Sequence, residues 1–286
     1  MRKFYKYFFS VLAILLLVLI FGGLWLYSGT LTQAKAKVFE KLPLPMALVN
    51  GQPILMKDFL FRSAIAGKIL GSQLDQQTKN RVGENILNEL IGEQEIGQLA
   101  ARRNLVVNQK DIDREYLAQT KLLEGQGKNL AQSLGGYGMD QNFFKNQVIE
   151  PRLLSDKLQI WFNSQASLNT EAYDQAAFLL GQIQNGADIS KLASKYSQSD
   201  SEKKVSGDLG FVQDTDLTDE LQEAVDSLKI GETKIIPSRY GLHVIRLEEK
   251  NGNQLHLREI FLNTSDFDAW LKSQTQNFKI KKLITI

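Results

Sequence analysis

The chain has two histidines and no cysteine among its 286 residues. Without cysteine there is no thiolate nucleophile, no disulfide framework, no thiolate zinc site and no lipid-modified cysteine. Two histidines are too few for a histidine-rich metal centre or for most histidine relays. What remains is imidazole and carboxylate chemistry. His243 lies in YGLHVIRL (Tyr240–Leu247), and His256 and Glu259 lie in LHLREIFL (Leu255–Leu262). A neutral imidazole donates at one nitrogen and accepts at the other, and it titrates near neutral pH. On residue type alone His243 is therefore either a site residue or a hydrogen-bonded core histidine. His256 and Glu259 are three positions apart, so on a strand they face opposite sides. Asp208 in SGDLG has the short polar side chain that closes a turn on its own backbone.

The elements around these residues follow from their periodicity. In KIIPSRYGLHVIRLEEK, Tyr240, Leu242 and Val244 alternate with His243, Ile245 and Leu247. That strand is apolar on both faces, as a central strand is. Asn251-Gly252 is a hairpin signal and leads into LHLREIFL as the next strand. EAYDQAAFLLGQIQNG, ADISKLASKYS and TDELQEAVDSL have helical spacing, and SGDLGFV is a turn followed by a strand. Upstream, MALVNGQPIL (Met46–Leu55) has a second hairpin signal at Asn50-Gly51, and Pro53 confines its second run to an edge. From Lys57 to about Trp161 the pattern is helical, with Leu87, Leu90 and Ile91 on a core face, Asn108 as an N-cap and Pro151 as a kink or restart. SDFDAWLKSQTQNF is expected to be a helix capped by Ser265, and KIKKLITI a strand. The fold class is α+β.

Tyr7 to Tyr27 contains no charge. As a helix it would span about 30 Å, the thickness of a bilayer's hydrocarbon core. Arg2, Lys3 and Lys6 precede it, and Tyr5, Tyr7, Trp25 and Tyr27 stand where interfacial aromatics lie. The expectation is an uncleaved transmembrane anchor over residues 7–27, with residues 1–6 cytoplasmic and the bulk of the chain outside a plasma membrane. A cleaved signal peptide competes, with Ala34-Lys35-Ala36 as the cleavage pattern, but the apolar run is longer than such peptides use. Residues 28–45, ending in Pro43-Leu44-Pro45, are expected to be a tether. The net charge of +2 gives no support for nucleic acid or for a strongly acidic partner.

NGADISKLASKYSQSDSEKKVSGDLGFV, followed by LKIGE and YGLHVIRL, resembles the parvulin domain of bacterial peptidyl-prolyl isomerases between Tyr173 and Lys250. MALVNGQPILMKDF and the long helices resemble the N-terminal chaperone domain of SurA- and PrsA-type folding factors. The resemblance implies a mostly helical chaperone domain over 46–166, completed by 263–286 with KIKKLITI pairing near MALVNG. It also implies a parvulin-like antiparallel sheet with flanking helices over 167–262. Rotation about a peptide bond faces a barrier of about 18–20 kcal/mol set by amide resonance. A catalyst needs an apolar slot for the proline ring and polar groups that favour the twisted amide over the planar one.

Carried over by resemblance, the slot falls on Leu209, Leu217 and Leu221, with Tyr240 beside it. The family usually has Met in place of Leu217 and Phe in place of Leu221. The family's polar groups are two facing histidines with a Cys or Asp nearby. His243 matches the second histidine, and the Cys/Asp position falls on Ser199, next to Asp200. The first histidine is missing from NSQASLNTEAY, where Ser167 is nearest. LHLREIFL, however, resembles the family's first strand. A permuted parvulin is therefore expected, with its first strand supplied by residues 255–262 and Glu259 in the histidine position. The implied function is a membrane-anchored, extracytoplasmic prolyl isomerase and folding factor acting on unfolded, proline-containing secreted chains, without cofactor or metal. A catalytically degenerate holdase is the alternative, and a membrane-tethered scaffold a third reading.

Overall fold

The Asn-Gly pair at 50–51 makes the first turn because both residues adopt positive φ, 51° and 84°. That geometry matches the twist of a two-residue hairpin. The structure, a computed structural model, describes residues 16–17, 19–71, 75–213 and 217–285. In chain order these form α1 (Gln33–Lys41), the hairpin β1 (Pro45–Val49) and β2 (Gln52–Leu55), and the helices α2 (Met56–Leu70), α3 (Gln76–Ala101), α4 (Gln109–Gly125), α5 (Leu130–Tyr137) and α6 (Gln141–Phe144). A π-helical turn (Lys145–Ile149) leads into α7 (Glu150–Asn163). Then come α8 (Thr170–Gln184), α9 (Ile189–Tyr196), α10 (Asp200–Lys204), β3 (Asp208–Gln213), α11 (Asp219–Asp226), β4 (Thr233–Pro237), β5 (Leu242–Asn251), β6 (Gln254–Leu262), α12 (Phe267–Thr275) and β7 (Ile280–Lys282).

The chain divides into two units. One holds the described residues up to Gln98, Asp113–Ile149 and the end from Asn277; the other holds Leu99–Ile112 and Glu150–Gln276. In the first unit β7 lies antiparallel to β1, giving the strand order β2-β1-β7. Asn50 pins this pairing, since its Oδ1 accepts from the Lys279 amide at 2.9 Å and its Nδ2 donates to Gln98 Oε1 at 2.9 Å. Phe39, Met46, Val49, Phe59, Leu87, Leu90 and Ile91 are buried in one apolar cluster. Each such side chain is worth about 1.5–3 kcal/mol of burial.

The α+β class holds, but the membrane helix is corrected. Residues 7–15 and 18 of the expected anchor lie outside the described residues. Among the described residues no helix is long and apolar enough to cross a membrane. Residues 16–17 and 19–27 are helical. The end of this run is engaged elsewhere. The Tyr27 hydroxyl donates to the Pro45 carbonyl at 2.9 Å, and its ring meets Phe39 edge-on at 5.8 Å, so it packs on the unit's core.

The second unit is built on a four-stranded antiparallel sheet of order β3-β6-β5-β4. Strands β5 and β6 are central and carry apolar residues on both faces. On one face Leu242, Val244, Ile260 and Leu262 pack under α8 and α9 through Ala176, Leu179, Ile183 and Ala193. On the other, Ile236, Ile245, Leu247, Leu255 and Leu257 pack under Val225 of α11 and Leu228. The β5–β6 loop is Gly252-Asn253, one residue later than the Asn-Gly signal, because Asn251 pairs with Gln254. Helix α12 is capped by Asp266, whose Oδ1 accepts from the Ala269 amide, and the neighbouring Ser265 hydroxyl donates to the Leu168 carbonyl instead.

Candidate active site

Strand alternation puts His243 on the α11 face, since it shares that face with Ile245 and is paired across the sheet with Ile236 of β4 and Phe261 of β6. Glu259, two residues before Phe261, projects from the same face. His243 and Glu259 are each 6% exposed, and Nδ1 of His243 is hydrogen-bonded to Oε1 of Glu259. On its other side Nε2 meets the Ser238 hydroxyl at 2.6 Å. Ser238 Oγ also accepts from the Tyr240 amide at 3.0 Å, which leaves its proton and one lone pair free. Ser238 can therefore donate to a neutral imidazole or accept from a charged one, so the buried ring is satisfied in either state. The Ser238 carbonyl is held in turn by the Asn163 amide of α7 at 2.7 Å, and Asn163 Oδ1 accepts from the Thr264 hydroxyl at 2.8 Å.

Leu209, Leu217 and Leu221 are half-buried and pack against the cluster containing Ile236 and Ile245, so they lie on the face that carries His243. Ser199 caps α10, where its hydroxyl accepts from the Glu202 amide, and Asp200 is exposed in that helix's first turn. Tyr240 is 58% exposed, with Arg239 over its ring at 4.8 Å. His256 and Asp208 stand apart from the pair: His256 Nε2 is 2.8 Å from Asp208 Oδ1, and Arg258 donates to Asp208 Oδ2 at 2.8 Å. Among the described residues no group of three or more His, Cys, Asp or Glu is placed to hold a metal ion.

Glu202 is not among the residues singled out from the sequence. It lies in α10, and Oε2 of its carboxylate accepts from the Ser197 hydroxyl at 2.8 Å. Ser197 is fully buried, and its oxygen accepts from the amide of Phe261, the cross-strand partner of His243, at 3.1 Å. Burial, and next the negative charge of Glu259, push the Glu202 carboxyl up. The only local signal for it is a glutamate three residues after the capping serine, the capping-box position.

Asp208 shifts the opposite way. The His256 ring and then the Gly210 amide hold its carboxyl below the ordinary range. A depressed carboxyl contributes stability above its unfolded value of 3.8, and that contribution is lost as pH falls through the folded value. Asp208→Asn is expected to lower stability at neutral pH by about 1 kcal/mol or less, since the site is partly screened by solvent. The difference from wild type should close below pH 3.8 in urea titrations at a series of pH values.

Two family models match the chain. A SurA-like N-terminal domain covers residues 1–159 and a PPIC-type PPIase domain covers residues 153–251. Foldase protein PrsA of Halalkalibacterium halodurans is 26% identical over 242 residues, covering 76% of this chain and 72% of its own. Chaperone SurA of Dechloromonas aromatica is 33% identical over 89 residues, covering 31% of this chain and 20% of its own. A crystal structure of the peptidylprolyl isomerase PrsA from Bacillus anthracis aligns over 67% of this chain and 86% of that one, at 21% identity and a TM-score of 0.24. The chain belongs to the family of folding factors that join a SurA-like N-terminal domain to a PPIC-type domain, and it is a parvulin-type peptidyl-prolyl cis-trans isomerase.

Proposed function

We propose that the buried His243–Glu259 pair is the catalytic pair of this isomerase, acting on X-Pro bonds of unfolded secreted chains outside the cytoplasm. The observation that carries this reading is the pair itself: an imidazole with a carboxylate on one nitrogen and a hydroxyl on the other, on the same sheet face as Leu209, Leu217 and Leu221. No covalent bond forms or breaks in the reaction. As the amide twists, conjugation is lost and charge returns to its nitrogen. A site whose donors and acceptors are already in place favours that state over the planar amide. The leucines supply the apolar surface for the proline ring, and Tyr240, exposed at the end of the β4–β5 loop, supplies an aromatic contact for the flanking residue. Ser199 and Asp200 serve the site through α10.

The location is supported by Arg2, Lys3 and Lys6 ahead of an uncharged apolar stretch, a pattern shared by exported chains. An alkaline phosphatase fusion, active only outside the cytoplasm, tests it, and an inactive fusion made at normal level would count against it. For the site, His243→Ala is expected to lower kcat/KM about 100-fold, the lower end of what a positioned polar group contributes. The readout is a protease-coupled assay on an Ala-Xaa-Pro-Phe peptide, with suppression of client aggregation retained. An unchanged rate in a folded His243→Ala protein would sink the assignment.

A further inference from the structure

We propose that Glu202 is a positioning residue of the isomerase site, and that its carboxylate sets the charge around the His243–Glu259 pair and so the pH range in which the enzyme works. The proposal rests on the reading that this pair is the site.

The charged run of the short helix DSEKK suggests a solvated face, yet its middle residue turns inward. The Ser197 hydroxyl accepts from the Phe261 amide, so its single proton is directed at Glu202 Oε2. A donor fixed in this way by a buried backbone group holds the carboxylate beside β6. The Glu202 backbone is tied down as well, because its carbonyl accepts from the Gly207 amide at 2.8 Å, and the Gly207 carbonyl accepts from the Glu259 amide at 2.8 Å. One backbone path therefore joins Glu202 to Glu259, while Ser197 joins the Glu202 carboxylate to the cross-strand partner of His243.

The charged groups of the neighbouring strands that act on Glu202 are Glu259 of β6 and His243 of β5. The Glu259 carboxylate is hydrogen-bonded to the imidazole, and the Glu202 carboxylate, hydrogen-bonded to Ser197, adds a second negative charge near it. Burial first, and Glu259 next, raise the Glu202 carboxyl, while the Ser197 and Ser199 hydroxyls and His243 oppose the shift. Its charge therefore appears at a higher pH than that of an exposed glutamate. Below that point the site carries one carboxylate charge fewer. A polypeptide with a twisting amide then meets a different field on either side of the transition, although Glu202 itself need not touch it.

The chain's two histidines make a direct test possible, because each imidazole gives its own nitrogen-correlated NMR signals. In wild type the His243 ring signals should show an inflection on the acid side from the ionisation of Glu202. In Glu202→Gln that inflection should be lost, and with it the acid-side step in kcat/KM measured by protease-free exchange NMR on a proline peptide. His256, bound to Asp208, should be unchanged and serves as the folding control. A His243 curve that is the same in both proteins overturns the proposal. If Glu202→Gln loses the His256 signal, Ser197→Ala decides. Removing a hydroxyl that stabilises the carboxylate should move the inflection to higher pH, and an unmoved inflection is the overturning result. Failure of the parent reading looks different, because a fully active His243→Ala protein would leave these titration curves unexplained by catalysis but still measurable.

Discussion

Gly207→Ala is expected to destabilise the second unit by about 3 kcal/mol or more, through backbone strain added to a clash that cannot relax. Gly207 has φ +72°, a region that residues with a side chain rarely adopt. A Cβ there would lie 2.2 Å from the carbonyl oxygen of Glu259 and 2.7 Å from Cβ of Ala193. Neither atom is the free end of a flexible side chain. The Glu259 oxygen belongs to a central strand, and Ala193 is fully buried where α9 packs on the sheet. The clash also falls where the Gly207 carbonyl holds the Glu259 amide, so relief by movement would displace the carboxylate from His243. Gly210 provides the comparison. It too has a positive φ, +65°, but nothing lies within 4 Å of where its Cβ would stand, so Gly210→Ala should cost only the strain, about 1 kcal/mol. Urea or thermal unfolding of the two variants is the measurement. If Gly207→Ala costs no more than Gly210→Ala, the close approach of the turn to β6 does not constrain the fold.

Glu259→Leu should cost about 3 kcal/mol, the lower end of what removing one partner of a buried pair costs. It leaves Nδ1 of a 6% exposed histidine without its carboxylate. Isomerase activity should fall with it if the pair is the site. The change also has a signature in pH. Glu202 has a raised carboxyl, so its protonated form contributes stability that is fully present below the unfolded value of 4.5 and is lost as pH rises through the folded value. Glu259 is the second of the two causes that raise it, after burial. In Glu259→Leu the loss of stability above pH 4.5 should therefore be smaller and should be complete at a lower pH than in wild type. Urea midpoints measured from pH 4 to 7 would show this. Parallel pH curves for the two proteins would mean that Glu202 and Glu259 do not sense one another.

Much of the fold is local enough to be legible. Asn50-Gly51 needs only its own positive φ values to turn the chain, and the two-faced apolar pattern of YGLHVIRL identifies a central strand because each face must be covered. The ordered pieces SGDLG, LKIGE and YGLH identify the family. The anchor expected over Tyr7–Tyr27 is not upheld, since among the described residues no helix is long and apolar enough to cross a membrane and Tyr27 is used on Phe39 and Pro45. The β5–β6 loop moved by one residue because the register is chosen by both strands over their full length, not by the turn alone.

The α+β class and the isomerase family depend on residue type and near-neighbour spacing, and the sequence alone carries them. Only the tertiary structure decided which groups surround His243. Ser238, Ser197 and Glu202 are polar residues in turns and a charged short helix, and apart from the capping-box spacing of Glu202 nothing local separates them from solvated neighbours. Their roles arise because sheet pairing brings β6 beside β5 and the turn at Gly207 folds α10 back against β6. Burial then turns ordinary hydroxyls and a carboxylate into members of one network, since a polar group removed from water must find its partner within the fold.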